Sequence, residues 1–155
     1  MEKIIIIDFG SQYTQLIARR IRELSVYSEI IPCHKFDDID ESVKGIILSG
    51  GPCSVKDKDS PSIDFLKLNT KIPILGLCYG AQLIAYKNGG EVVKSKHREY
   101  GRANLNYVST DNVLTKGIKD GSQVWMSHGD TIINGPDNAT VICSTKDVAI
   151  AGFKF

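Results

Sequence analysis

No stretch of this chain is apolar for anything near the roughly 20 residues that a membrane-spanning helix requires. The aliphatic run near the amino terminus, Ile4 to Ile7, is cut off at once by Asp8, so the start of the chain does not read as an export signal. Neither sign of charge is in excess. Lys and Arg number 19 against 18 Asp and Glu, which leaves +1 and excludes the basic face of a nucleic-acid binder or a polybasic membrane patch. Cysteine is sparse and scattered, at Cys33, Cys53, Cys78 and Cys143, and never as Cys-x-x-Cys. That spacing suits neither a zinc site nor a disulfide framework, and it points to reduced thiols in the cytoplasm. A phosphate-binding Gly-x-x-x-x-Gly-Lys-Ser/Thr loop is missing too. Repeats, low-complexity tracts and linkers are also lacking, so residues 1–155, 42% hydrophobic, are read as a single domain able to bury a core.

What is present alternates. "KIIIID" is a β-branched run without polar alternation, which predicts a strand buried on both faces, as in a parallel sheet. Tyr13 to Leu24 places Leu16, Ile17, Ile21 and Leu24 at helical spacing, with Arg19, Arg20, Arg22 and Glu23 outside. "SEIIP", "KGIILSGGP" and "IPILGL" predict three more strands. Ser60 and Pro61 suit a helix start before "SIDFLKL", and Tyr79 to Asn88 reads as a helix closed by Gly89 and Gly90. From Glu91 onward, "EVVKSK", "RANLNYVST", "SQVWMS", "TVICST" and "AIAGFKF" predict successive strands with turns between them. The fold class is therefore α/β: a mostly parallel open sheet with helices on both faces, plus a smaller antiparallel strand region in the second half.

Ligands of such sheets bind beyond the carboxyl ends of the strands. Three loops leave those ends: Gly10 to Gln12, Ser49 to Ser54, and Cys78 to Gly80. The last, Gly76-Leu77-Cys78-Tyr79-Gly80, is the cysteine counterpart of the nucleophile elbow, in which the reactive side chain sits on a sharp strand-to-helix turn. Cys78 is then either a small buried hydrophobe or a nucleophile at a helix start. There the dipole favours the thiolate, and the Tyr79 N–H is an unpaired donor for a developing oxyanion. Gly50 and Gly51 either make a plain turn before Pro52 or bring a second donor close to a substrate. Cys33 and Cys143 fall in or beside apolar strand patterns and read as packing; Cys53 lies in the glycine loop with no basic neighbour.

Taken together and in order, "DFGSQYTQLIARRIRE", "LSGGPCSV", "GLCYGAQLIA", "HREYGRA" and "WMSHGD" resemble the class I glutamine amidotransferases, and within them the amidotransferase domain of the GMP synthase family. The resemblance implies hydrolysis of the glutamine side-chain amide through a γ-glutamyl thioester. The ammonia released would pass to a synthetase domain or subunit that carries ATP and XMP. It assigns Cys78 as nucleophile and Gly51 and Tyr79 as backbone oxyanion donors. It places Gln82 near the bound glutamine, and Ser127, His128 and Gly129 in a loop contacting the substrate's amino-acid end. Gln82 also fits an ordinary polar residue of a helix first turn. The resemblance implies no cofactor for this domain, since ATP and magnesium belong to the synthetase part. "SGGPCS" lacks the Asp of that part's SGG-x-D-S loop.

One piece of the chemistry is not in the sequence. Ammonia must leave protonated, which calls for a general acid, normally a histidine oriented by a carboxylate. The family takes both from a His-Pro-Glu segment after a late strand, and residues 1–155 contain no His-Pro-Glu. The chain is accordingly expected to be an incomplete amidotransferase domain, poorly active alone. Of the three histidines, His34 reads as a loop residue and His97 matches a family position outside the catalytic pair. His128 has Asp130 two residues on, pointing the same way in an extended segment. Two competing readings remain: a non-catalytic docking or regulatory module, and a different cysteine hydrolase that uses His128.

Overall fold

The computed structural model describes residues 1–68 and 71–155, and the backbone alone for residues 96–99, so the side chain of His97 lies outside the described residues. The chain, read above as a single domain, gathers into two compact units, Met1–Ile84 and Ala85–Phe155.

The first unit is built on a parallel sheet of β1 (Lys3–Asp8), β2 (Ser28–Pro32), β3 (Val43–Leu48) and β4 (Ile74–Gly76), in the order β2-β1-β3-β4. Central β1 explains the isoleucine run. Successive side chains alternate between faces, and Ile5, Ile6 and Ile7 are all buried, so both faces are covered. Helix α1 (Thr14–Glu23) has Thr14 and Ala18 buried, with Ile17 and Ile21 half-buried between and after them. Its expected apolar face is corrected in part: Leu16 and Leu24 are exposed. The small residues at 14 and 18 allow close approach and so decide which face turns inward. Arg22, expected outside, reaches back to Ser28, with Nε 3.1 Å from the hydroxyl and Nη2 2.9 Å from the carbonyl.

The helix expected after Ser60 and Pro61 does not form among the described residues; only a single 3₁₀ turn, Phe65–Lys67, is present. The Pro61 carbonyl, which a helix would give to the amide four residues on, instead accepts the Tyr79 hydroxyl. The Asp64 carboxylate accepts the Leu66 N–H at 3.0 Å and starts the short turn there.

The second helix, α2 (Tyr79–Lys87), follows β4 after only Leu77 and Cys78. It closes as expected. Gly89 takes φ +84°, and the Gly90 N–H returns to the Ala85 carbonyl at 2.8 Å. Its start is pressed onto β3 at Gly80: a Cβ there would lie 2.3 Å from the Leu48 carbonyl oxygen.

The second unit holds an antiparallel sheet of β5 (Glu91–Val108), β6 (Gln123–Asn134), β7 (Thr140–Thr145) and β8 (Gly152–Lys154), in the order β6-β5-β7-β8. The two strands expected in "EVVKSK" and "RANLNYVST" are one long strand. β5 pairs with β6 from Glu91 to Asn104, slips register between Lys94 and Glu99, then pairs with β7 from Leu105. Val92, Leu105, Ile132 and Ile142 are buried in this unit.

The contact at Gly80 yields the first prediction. Gly80→Ala should lower stability in urea denaturation by about 3 kcal/mol, the upper part of the range for overpacking, because the neighbour is backbone and cannot swing aside. Gly129→Ala, where a Cβ meets nothing within 4 Å, should change stability by less than about 0.5 kcal/mol.

Candidate active site

Three loops leave the carboxyl ends of β1, β3 and β4 and meet in the first unit. The β1 loop is shaped by Asp8, whose Oδ1 accepts the Gly10 N–H at 2.9 Å and the Thr14 hydroxyl at 2.8 Å. One carboxylate therefore both turns the loop and seats the start of α1. The β3 loop begins at Ser49, which is wholly buried. Its N–H donates to Ile7 and its carbonyl accepts from Gly80, both at 3.0 Å. Its hydroxyl accepts the Phe9 N–H at 3.1 Å and donates to the Gly50 carbonyl at 2.9 Å. All three loops are thus tied through one residue, which sequence reasoning placed in the loop but gave no role. Its only signal is a serine directly before the glycine pair at a strand end.

The glycine pair lies against the cysteine. A Cβ built on Gly50 would be 3.6 Å from the Cys78 Cβ and 3.4 Å from the Ser11 hydroxyl oxygen. One built on Gly51 would be 2.8 Å from the Phe9 carbonyl oxygen and 3.4 Å from the Tyr79 ring, so no side chain fits. The Phe9 and Tyr79 rings pack against each other tilted by 50°, with centroids 5.3 Å apart.

Cys78 itself has φ +50°, a left-handed backbone that L-residues adopt only where surrounding structure imposes it. The imposition is visible on both sides. A Cβ on Gly76 would fall 2.7 Å from the Ala81 nitrogen, and Gly80 is jammed on Leu48. The tight turn leaves Cys78 exposed rather than packed as a hydrophobe. Among the described residues, the Gly51 and Tyr79 amides have no acceptor, whereas the Gly80 amide is taken by Ser49 and that of Gln82 by the Cys78 carbonyl at 3.0 Å.

Two influences act on the thiol. The helix start favours the thiolate, whereas desolvation by the protein around it pushes the Cys78 thiol above its ordinary value, with no offsetting charged side chain among the described residues. Desolvation thus opposes the thiolate that the helix start favours. Burial likewise pushes the Tyr79 phenol up, which keeps it a donor to Pro61.

The remaining candidates divide between the units. Gln82 is buried on α2, one turn after Cys78. Ser127, His128 and Gly129 belong to the second unit, and the loop expected there is corrected to a strand. They lie within β6, with Ser127 opposite Tyr100 and His128 opposite Glu99; Gly129 falls at the register slip, and pairing with β5 on both sides of it keeps the segment extended. Cys33 opens a 3₁₀ turn after β2 and Cys143 lies in β7; both are half-buried, and burial pushes both thiols up. His34 is exposed in the turn after β2. Among the described residues, no group of three or more His, Cys, Asp or Glu could hold a metal ion, and no helix is long and apolar enough to cross a membrane.

Comparison with known proteins follows the same lines. Residues 5–154 match the family model of class-I glutamine amidotransferase. A glutamine-hydrolysing GMP synthase of Cytophaga hutchinsonii is 59% identical over 153 residues, and one of Bacteroides fragilis is 58% identical over the same number. Each alignment covers 99% of this chain, which spans about 30% of the length of these curated relatives. Among solved structures, one described as a GMP synthase component from Thermoplasma acidophilum superposes with a TM-score of 0.80 at 35% identity, covering 99% of this chain and 78% of its own. A glutamine amidotransferase from Thermotoga maritima has the same TM-score at 23% identity, covering 99% of this chain and 71% of its own, and so shares the fold. The parallel sheet with its cysteine elbow, the antiparallel sheet that follows, and these matches along nearly the whole length make the chain a member of the class I glutamine amidotransferase family.

Proposed function

We propose that this chain is the glutamine-cleaving part of a GMP synthase, acting in the cytoplasm and handing ammonia to a synthetase part that works on XMP with ATP and magnesium. The observation that carries the reading is the elbow: an exposed cysteine, held left-handed between two glycines that admit no side chain, beside two amides that have no acceptor among the described residues. The two curated relatives named above, both glutamine-hydrolysing GMP synthases, suggest the acceptor of the ammonia.

A carboxamide is a poor electrophile with a poor leaving group, and covalent catalysis divides its cleavage into two easier steps. The Cys78 sulfur, once deprotonated, attacks the glutamine δ-carbonyl carbon. The carbonyl electron pair moves to oxygen, and the Gly51 and Tyr79 N–H groups receive that charge. Each such donor is worth roughly 2.7–4 kcal/mol in comparable sites. Collapse breaks the C–N bond, ammonia leaves with a proton from a general acid, and a thioester remains. Water then attacks the thioester, giving glutamate and the free thiol. Gln82, one turn after Cys78 in sequence, is the proposed side-chain neighbour of the bound glutamine. Ser127, His128 and Gly129 are the proposed contacts to its amino-acid end. Because desolvation disfavours charge on the sulfur, the attack calls for a base that takes the thiol proton.

The reading is tested with a chloroketone analogue of L-glutamine. It should alkylate Cys78 selectively over the other three cysteines and over reaction with the D-isomer, and Cys78→Ala should remove the labelling and any ammonia release. Unselective labelling, equal for both isomers, would mark the chain as a docking module. A second outcome follows from the thiol. A raised pKa favours the neutral form below it, so iodoacetamide alkylation of Cys78 should be slow at pH 7 and climb about tenfold per pH unit, its inflection lying above that of a free cysteine. A plateau reached below pH 8 would show that the helix amides prevail over desolvation.

A further inference from the structure

We infer that Ser49 is a positioning residue for the oxyanion site, its hydroxyl fixing the direction in which the Gly51 N–H points; this rests on the reading of Gly51 as an oxyanion donor. The hydroxyl has one proton and its geometry leaves one use for it. The Phe9 N–H occupies an acceptor lone pair at 3.1 Å, and the proton goes to the Gly50 carbonyl oxygen at 2.9 Å. The Gly50 carbonyl and the Gly51 N–H belong to the same trans peptide and point in opposite directions across it. Holding the carbonyl toward Ser49 therefore aims the N–H away from it.

The restraint matters because the peptide joins two glycines. With no Cβ on either side, both flanking dihedrals are soft and the plane can turn over at little cost. Glycine is nevertheless required at 51, where Phe9 and Tyr79 leave no room for a side chain. The site thus needs the most pliable dipeptide in the place where a donor must be fixed most firmly, and the Ser49 hydroxyl resolves that conflict. Ser49 can hold the peptide because it is itself held. It is wholly buried, its N–H is bound to β1 and its carbonyl to the first turn of α2. The same α2 turn carries the Tyr79 amide, so the two proposed donors are referred to one anchor.

The test uses the intact protein that carries this chain and compares two reagents at Cys78. The glutamine chloroketone places a carbonyl oxygen in the oxyanion site, whereas iodoacetamide is displaced at carbon and needs no oxyanion donor. Ser49→Ala should lower the maximal chloroketone rate about 100-fold, leave its half-saturating concentration within about twofold, and leave the iodoacetamide rate unchanged. Ser49→Thr, which keeps the hydroxyl, should recover most of the loss. If Ser49→Ala does not fold, Ser49→Cys, similar in size and a weaker donor, carries the same comparison, with a selective fall in the chloroketone rate expected. Equal slowing of both reagents, or no change in either, would overturn the inference. Failure of the unsubstituted protein to select the L-chloroketone would instead overturn glutamine cleavage itself.

Discussion

The first turn of α2 lies on the last residue of β3 with no space for a methyl group between them, and the Gly80 N–H reaches the Ser49 carbonyl across that contact. Everything at the carboxyl edge of the parallel sheet follows from it. With only Leu77 and Cys78 between β4 and α2, a helix seated so close forces the intervening backbone through a left-handed residue, and the side chain at that residue is thrown outward. A cysteine at the same position in a relaxed turn would fold into the core, as free cysteines commonly do.

The edge also shows how pliable and stiff elements are combined. Glycine appears at 51, 76 and 80 because backbone or a ring stands where its side chain would be. Glycines bring softness as well as room, and hydrogen bonds restrain the loops around them: Asp8 accepts the Gly10 N–H in the β1 loop, the Ser49 hydroxyl holds the Gly50 carbonyl in the β3 loop, and the Ser49 carbonyl takes the Gly80 N–H at the helix start. The bonds made by Ser49 are buried, where a hydrogen bond contributes more reliably than on the surface.

Much of this was legible from residue order. An isoleucine run ended by Asp8, three further strands of the parallel sheet and a glycine-flanked cysteine are local patterns, and the local patterns held. What was not legible depended on partners far away in the chain. The helix after Pro61 looked sound locally and lost its first carbonyl to Tyr79, 18 residues on. The length of β5 depends on which strand it pairs with at each residue, and propensity carries no information about that. Ser127 to Gly129 were read as a loop for the same reason. At the site, the position of Cys78 could be read but the desolvation that opposes its thiolate could not. Helix polarity is a feature of sequence, whereas the crowding that desolvates the sulfur exists only after folding.

The left-handed backbone at residue 78 has a bearing on how such a domain would age. Glycine accepts that conformation freely, while a side chain there sacrifices on the order of 1 kcal/mol. The fold would thus be sturdier without its sulfur. A duplicate released from any need to process an amide would be drawn by thermodynamics alone toward Gly-x-Gly-x-Gly at this turn, becoming more robust as it fell silent.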